Sequence, residues 1–205
     1  MMNAIKVKEF GLDVIYRHDY DKSQQGENIA NYIANSCAYL EKFLNNVPQA
    51  KDYRVFWDIG CGNSQAIDYF KHSPYRLEGF GVDKYPQEEK ECVRRGDFYA
   101  LEDSMKGLPL PDVVFINHTL EHSLAPLLLE QVRKVHKIGG VLFVAVPDAD
   151  YPWSYEITSS TTHWSIFNEG FLRTLLQRYG YEVVIEKKCF RENCGELFAV
   201  AIKRW

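Results

Sequence analysis

Residues 55–64 read VFWDIGCGNS, and this stretch decides the fold. Three bulky apolar residues open it, as in a buried strand, and they follow a polar run at 50–54. An acid and two alternating glycines come next, and residues 65–70 have the pattern of the first turns of a helix. The order of strand, glycine turn and helix is that of the first half of a nucleotide-binding βαβ unit.

The glycine turn lacks the marks of a phosphate-binding loop. A dinucleotide fingerprint has a third glycine where this chain has Gln65, and no lysine follows at phosphate-loop spacing. Asp58 lies two residues before Gly60 instead, and its carboxylate would repel a pyrophosphate but attract an amine. The glycines permit a tight turn and, we expect, the close approach of a ligand that a Cβ would obstruct. The turn therefore favours a ligand with an amine and without a phosphate.

The composition indicates one globular domain with a proper core. The chain has 205 residues, 46% of them hydrophobic, and its net charge of −4 gives no electrostatic reason to expect a nucleic-acid partner. No apolar run approaches the roughly 20 residues of a membrane span, and the polar N-terminus is unlike a signal peptide. Five cysteines without close pairing indicate reduced thiols, so we expect a cytoplasmic protein.

A second strand is predicted at 75–83, and it ends in Asp83. An acid in this position of a Rossmann-like sheet receives ribose hydroxyls, because one carboxylate accepts two hydrogen bonds from a vicinal diol. The sequence therefore predicts that Asp83 binds a ribose.

Two apolar strands are predicted farther on, at 111–117 and 141–146, with a helix over 127–135 between them. Catalytic groups of open α/β sheets gather at the carboxyl ends of the strands. Asn117 and His118 come at such an end, so we expect them to border the active crevice.

With these features the chain resembles the class I S-adenosylmethionine (SAM)-dependent methyltransferases. Their first motif, Asp/Glu-x-Gly-x-Gly, is matched by Asp58, Gly60 and Gly62, and the acid of their second motif is matched by Asp83. A further glycine of the looser motif is absent, since Ser64 takes its place. The resemblance implies SAM as the cofactor and S-adenosyl-L-homocysteine (SAH) as its product.

The resemblance also implies the fold. Residues 182–186 and 197–202 read as two strands joined by a short polar turn, which allows only an antiparallel hairpin. A mostly parallel sheet finished by an antiparallel strand is the arrangement of these methyltransferases. We therefore expect an α/β fold with a Rossmann-like, doubly wound and mostly parallel seven-stranded sheet, an antiparallel C-terminal strand, and three αβα layers.

The second half of the chain resembles one subfamily, the ubiquinone-biosynthesis-type small-molecule methyltransferases. Its members share a Leu-Glu-His, a Gly-Gly and a strand ending in proline, then a histidine, an aromatic residue and a helix ending in Gly-Tyr. The matching positions are 120–122, 139–140, 146–147, His163, Phe167 and 180–181. This resemblance implies methyl transfer to an oxygen, nitrogen or carbon of a small molecule, whose identity stays open.

Residues 1–50 precede the predicted SAM-binding domain at 51–205. Apolar residues recur at steps of three and four from Ile29 to Leu44, with Pro48 just beyond, and they predict an amphipathic helix. The resemblance implies an N-terminal helical cap segment over the cofactor mouth. Packing of this helix on the sheet is the alternative that the sequence leaves open.

The resemblance assigns residues to the cofactor. Asp83 would hold the ribose and Asp58 the amino-acid end, while Asp97 and Phe98 are candidates for contacting the adenine. The expected cofactor-binding positions are Asp58, Gly60, Cys61, Gly62, Asp83, Lys84, Asp97, Phe98, Asn117 and His118.

His118 and His163 are the candidate catalytic residues. An acceptor hydroxyl must lose a proton, and a histidine with a pKa of about 6.5 suits that role. His163 is equally well explained as a structural residue among neighbouring aromatic side chains. The aromatic-rich loop at 148–165 is either a lid for a flat or apolar acceptor or a subunit interface.

Two other functions stay open. Residues 118–122 also satisfy the His-x-x-Glu-His pattern of zinc peptidases, in which His118 and His122 would share a helix face and Glu121 act as general base. The pattern directly follows a buried strand and no later acid is marked as a third ligand, so we expect no bound metal. Backbone hydrogen bonding by His122 and a helix-dipole contact by Glu121 are simpler roles. The second open function is that of a non-catalytic SAM-binding module.

Overall fold

The computed structural model describes residues 27–86, 90–151, 163–191 and 194–205. The strands are β1 (Val55–Ile59), β2 (Glu78–Asp83), β3 (Val93–Arg95), β4 (Val113–Asn117), β5 (Val141–Pro147), β6 (Tyr181–Arg191) and β7 (Cys194–Lys203). The α-helices are α1 (Glu27–Leu44), α2 (Gln65–His72), α3 (Leu101–Ser104), α4 (Ala125–Val135) and α5 (Glu169–Arg178), and 3-10 helices span Pro48–Asp52 and Phe98–Ala100. The predicted strands and helices are present in the predicted order.

The seven strands form one sheet in the order β3-β2-β1-β4-β5-β7-β6. The first five strands pair in parallel, and β7 lies antiparallel to both β5 and β6. This confirms the predicted α/β fold with its antiparallel C-terminal strand. The strand order reverses between β1 and β4, and ligands of open α/β sheets bind outside the carboxyl ends of the strands at such a point.

Helices cover both faces of the sheet and complete the three layers. β1 directs Trp57 and Ile59 into one apolar cluster and Phe56 into another on the opposite face. The first cluster includes the buried faces of α4 and α5, and the second includes those of α1 and α2. Because β1 and β5 are buried throughout, they read as apolar runs in the sequence, interrupted in β1 only by Asp58.

β2 begins at Glu78, later than the predicted start at residue 75, because a turn follows α2. In this turn the backbone N–H of Arg76 donates to the carbonyl of Ser73 over 3.1 Å, and Arg76 has a φ of 47°. A residue in the left-handed region cannot continue an extended strand. The strand therefore starts only after Arg76.

The predicted amphipathic helix is α1, and it packs on the sheet. Cys37 and Leu40 on its buried face are fully enclosed, and the ring of Tyr39 contacts that of Phe198 on β7 at 5.3 Å between centroids. Like every other helix in the described residues, α1 is not long and apolar enough to cross a membrane. Residues 1–26 of the predicted cap segment lie outside the described residues, so the cap as a unit stays a prediction.

Candidate active site

Three strand ends meet at one edge of the sheet. Asp58 lies one residue before the end of β1, β2 ends at Asp83, and β4 ends at Asn117. Ile59 pairs with Val82, so the two acids lie on neighbouring strands, and the charge of Asp83 acts on Asp58. Two carboxylates and an amide therefore lie at the edge of the sheet where the strand order predicts a ligand crevice.

The glycine turn after β1 contacts β2 and the segment that follows β4. Gly60 has a φ of 79°, and its N–H donates to the carbonyl of Val82 over 2.8 Å. A Cβ on Gly60 would lie 2.1 Å from Oγ1 of Thr119, so a side chain of the protein fills this space. The positive φ confirms the predicted tight turn. The space that the sequence led us to expect for a ligand beside Gly60 is occupied by Thr119 instead.

Asp83 is buried and oriented by the backbone. One carboxylate oxygen accepts a hydrogen bond from the N–H of Gly62 over 2.9 Å, and the other accepts from the N–H of Tyr85 over 2.7 Å. Burial raises the pKa of Asp83, while these two hydrogen bonds oppose the rise. Each oxygen keeps a second lone pair for a ligand hydroxyl. The geometry thus fits the predicted contact with a ribose diol.

Asp58 is almost wholly buried, with 4% of its surface exposed. Burial, and then the charge of Asp83, raise the pKa of Asp58 well above its usual value. No residue in the described part of the chain donates a hydrogen bond that would offset these effects. A cationic ligand group beside Asp58 would favour its charged form. A cationic group such as an amine suits this position better than a phosphate does.

His118 follows β4 in a left-handed conformation, with a φ of 49°. Its Nδ1 lies 3.2 Å from Oε1 of Glu121, and its Nε2 lies 3.3 Å from Oε1 of Glu196. Burial alone would lower the pKa of His118, but Glu196 and Glu121 outweigh burial and hold this pKa well above its ordinary value. The two close carboxylates and the raised pKa therefore favour the protonated form of His118.

This arrangement changes what His118 can do. A protonated imidazole donates from both nitrogens and has no lone pair with which to accept a proton. The predicted role of general base is thus disfavoured, and a role in fixing the two glutamates is favoured. Glu196 was missed by the sequence analysis, because it lies on β7, far from His118 in the chain.

Residues 118–124 form a turn between β4 and α4, not a helix. His118 and His122 therefore do not share a helix face, and the zinc-peptidase geometry is absent. The turn instead brings His122 beside His163, with 4.5 Å between the ring centroids. Ligand atoms of Glu121, His122 and His163 all lie within 4.8 Å of one another. All three residues belong to motifs that are visible in the sequence, but nothing in the sequence indicates that they lie together.

The two predicted adenine contacts lie beyond β3. Asp97 is exposed, and its Oδ1 accepts from the N–H of Tyr99 over 2.9 Å, which caps the short 3-10 helix. Phe98 is partly buried against the first apolar cluster. Each residue thus has a local structural role, and the adenine contact stays a prediction for both.

The remaining predicted cofactor positions are Cys61 and Lys84. Cys61 is buried against β2, where a Cβ on Gly81 would lie 2.6 Å from its Sγ, and burial raises the pKa of the thiol. The ammonium of Lys84 lies 5.5 Å from the centroid of the Tyr85 ring. Cys61 therefore serves packing, and a cofactor contact by either side chain stays a prediction.

Most of the predicted aromatic loop, residues 152–162, lies outside the described residues. At its start, the ring of Tyr151 packs on Gly195, where a Cβ would lie 2.2 Å from the ring. At its end, the backbone N–H groups of Trp164 and Ser165 both donate to the carbonyl of Glu121, over 2.8 and 3.1 Å. The loop is therefore tied at both ends to segments that border the site.

The model of a protein family described as a methyltransferase domain matches residues 31–186 of the chain. This match spans the sheet from β1 to β5, both carboxylates and the His118 turn. No curated protein matches the chain.

The solved structures that share this fold include three methyltransferases. A SAM-dependent methyltransferase from Archaeoglobus fulgidus has a TM-score of 0.67 at 20% identity, with 92% of this chain and 100% of that chain covered. The 1,6-didemethyltoxoflavin-N1-methyltransferase of Burkholderia thailandensis, solved with 1,6-didemethyltoxoflavin and SAH, has a TM-score of 0.72 at 17% identity and coverages of 100% and 92%. The magnesium protoporphyrin IX methyltransferase of Synechocystis PCC 6803, solved with SAH, has a TM-score of 0.60 at 13% identity and coverages of 85% and 83%.

Proposed function

The chain belongs to the methyltransferase domain family, and from this premise we propose that it transfers a methyl group from SAM to a small-molecule acceptor. Its cofactor is SAM, as in the family. The observation that carries the proposal is the pair of buried carboxylates, Asp58 and Asp83, at neighbouring strand ends beside the glycine turn. Such a pair suits a ligand with a diol and a cationic amine.

The residues around the turn would hold the cofactor in a fixed position. When bound, SAM supplies a methyl group that is already activated by its sulfonium. Asp83 accepts hydrogen bonds from the ribose and is preorganised by the N–H groups of Gly62 and Tyr85. Asp58 attracts the amino group. The protein therefore contributes mainly by positioning, which can supply a large share of a methyl-transfer rate.

The end of β4 would form the acceptor side of the site. Oδ1 of Asn117 is buried and, within the described residues, has no hydrogen-bond partner, so it is available to a ligand. We propose that His118 positions the neighbouring glutamates, since both of its nitrogens face carboxylates. His163 is the other candidate catalytic residue, and we propose that it contacts the acceptor.

The acceptor is proposed to be a small molecule with a flat or apolar part. The Burkholderia structure contains 1,6-didemethyltoxoflavin, and the Synechocystis protein is named for magnesium protoporphyrin IX. We also propose that the chain belongs to the ubiquinone-biosynthesis-type subfamily. We further propose that the protein is cytoplasmic, because Cys37, Cys61 and Cys92 are free thiols.

Calorimetry with SAH and SAM tests the proposal. We expect one binding site per chain for each ligand, and turnover with an acceptor found by a thermal-shift screen in the presence of SAH. A folded protein that gives no heat with either ligand would refute the proposed function. Tight binding of SAM without turnover on any acceptor would instead favour a non-catalytic SAM-binding module.

A further inference from the structure

Glu121, His122 and His163 form a cluster of metal-ligand side chains at the end of β4. Each offers one ligand atom, and these atoms all lie within 4.8 Å of one another. Two imidazoles and one carboxylate are a ligand set of catalytic zinc sites and of related transition-metal sites. One carboxylate charge and two neutral imidazoles would also suit the charge of a divalent ion.

Backbone hydrogen bonds hold the two parts of this cluster together. The N–H groups of Trp164 and Ser165, directly after His163, both donate to the carbonyl of Glu121. The hydroxyl of Ser165 also donates to the carbonyl of Ser123 over 2.9 Å. The position of His163 beside the Glu121 turn is therefore fixed by the main chain and does not depend on contact between side chains alone.

The carboxylate of Glu121 has one engaged oxygen and one unengaged oxygen. Only 1% of the residue is exposed, and its Oε1 accepts from Nδ1 of His118 over 3.2 Å. Its Oε2 is buried and has no hydrogen-bond partner in the part of the chain that the structure describes. A buried carboxylate oxygen without a donor is costly, and a cation bound to Oε2 would remove that cost.

We propose that Glu121, His122 and His163 together bind one divalent transition-metal ion, with Zn²⁺ as the best fit. Zinc bonds to imidazole nitrogen and carboxylate oxygen are about 2.0–2.2 Å long, so ligand atoms around a tetrahedral ion lie roughly 3.5 Å apart. Small side-chain rotations would close the cluster to that size. Three protein ligands leave a fourth position open.

His118 completes the arrangement from outside the ligand set. Its contact with Oε1 of Glu121 orients the carboxylate so that Oε2 is left for the ion. Residues that hydrogen-bond to a metal ligand commonly orient that ligand in this way. This assignment differs from the zinc-peptidase pattern, which uses His118 itself as a ligand. It also replaces the expectation, drawn from the sequence, that no metal is bound.

An ion in this position would act on the acceptor, a step that rests on the proposed function. Its open position would take an oxygen of the acceptor and lower the pKa of that hydroxyl, as metal ions do for bound water. The acceptor atom is then an oxygen, not a nitrogen or a carbon. Its proton would pass to bulk water, and its lone pair would take the methyl group as the sulfonium of SAM becomes the thioether of SAH. His163 would act on the acceptor through the ion, in place of the direct contact proposed above.

Titration calorimetry on tag-free, chelator-treated protein tests the metal site. We expect one Zn²⁺ to bind per chain at micromolar concentration or below, and Mg²⁺ to bind at least 100-fold more weakly, because imidazole favours transition metals. Glu121→Gln, His122→Gln and His163→Gln should each weaken Zn²⁺ binding at least tenfold. His72→Gln, which changes an exposed histidine on α2, is the matched control and should leave the affinity unchanged.

Two further measurements keep the outcome clear. Zn²⁺ should raise the melting temperature of the unsubstituted chain, which needs no variant, and each variant should retain its affinity for SAH. Absence of Zn²⁺ binding to the unsubstituted chain overturns the proposal, and so does Zn²⁺ binding that all three substitutions leave unchanged. Loss of SAH binding with Zn²⁺ binding intact would reject the proposed function and leave the metal site standing.

Discussion

The N–H of Gly62 donates a hydrogen bond of 2.9 Å to the carboxylate of Asp83, so the glycine turn after β1 is joined to the end of β2. The residue that is proposed to bind the ribose is thus also a structural partner of the turn. Asp83 cannot be removed without an effect on the shape of the crevice. This dual role decides which substitution gives a clean test.

Asp83→Asn should weaken SAH binding on the order of 100-fold while the chain stays folded. A hydrogen bond to a charged group is worth about 1.5–3 kcal/mol, and the substitution removes the charge but keeps one acceptor oxygen. Asp83→Ala is a poorer test, because it leaves the N–H groups of both Gly62 and Tyr85 without an acceptor, whereas asparagine leaves only one of them so. Calorimetry with SAH gives the affinity. Glu78→Gln, at the exposed start of the same strand, is the control, and equal affinities for the two variants would mean that the ribose site is misplaced.

Gly60→Ala should lower the free energy of unfolding by roughly 2–4 kcal/mol. This figure adds the cost of placing a residue with a Cβ in the left-handed region to the cost of an overpacked contact. Its new Cβ would lie 2.1 Å from Oγ1 of Thr119. Gly107→Ala is the control, because Gly107 has a φ of 84° but nothing within 4 Å of a Cβ. Urea unfolding should show that Gly107→Ala lowers the free energy of unfolding by only about 1–2 kcal/mol.

Thr119→Ala in the Gly60→Ala background should restore part of the lost stability. The substitution removes the hydroxyl and methyl of Thr119, but its own Cβ stays 2.8 Å from the new methyl group and the φ of Gly60 stays positive. Recovery should therefore be incomplete. If the double variant is no more stable than Gly60→Ala alone, the contact with Thr119 is not the reason for the glycine.

His118→Gln should destabilise the fold by about 2 kcal/mol, because Glu121 and Glu196 would lose their common cation. Removing one partner of a fully buried ion pair costs about 3–5 kcal/mol, and the figure here is lower since 32% of the His118 side chain is exposed. Adding Glu196→Gln should recover part of the loss, which a double-mutant cycle in urea would measure. Additive effects of the two substitutions would argue against the contact between His118 and Glu196.

The sequence predicted the sheet well because its strands are buried and its turns contain glycine. Val141–Pro147 and Val55–Ile59 are apolar enough on both faces to be recognised without any tertiary information. The position of Asp83 at a strand end followed from the same pattern. The start of β2 was misplaced, because nothing in the residue type of Arg76 indicates a left-handed backbone.

The contacts across the site could not be predicted in the same way. Glu196 reaches His118 because β7 inserts beside β5 in antiparallel register, with Glu196 opposite Pro147. A sequence pattern gives the direction of β7 but not its register. Thr119 against Gly60 and His163 against His122 likewise depend on how separate loops pack, which local periodicity does not encode.

His136 should make the folded state sensitive to acid. Its ring is buried at the end of α4, with Nδ1 3.0 Å from the hydroxyl of Tyr181 and Nε2 3.4 Å from the carbonyl of Asp112. Burial lowers the pKa of His136 from 6.5 to about 3. Between these two values the unfolded chain binds a proton that the folded chain does not. The contribution of His136 to stability is therefore complete above pH 6.5 and is lost as the pH falls, at up to about 1.4 kcal/mol per pH unit.

His136→Gln tests this, because glutamine can keep a hydrogen bond but does not titrate. Urea unfolding at pH 7, 5.5 and 4.5 should show a smaller loss of stability on acidification for this variant than for the unsubstituted chain. His72→Gln, which alters an exposed histidine, should follow the unsubstituted chain. If His136→Gln loses stability with the same slope, the acid sensitivity comes from other groups, such as Asp112 and Glu121, whose pKa values are lowered in the folded chain.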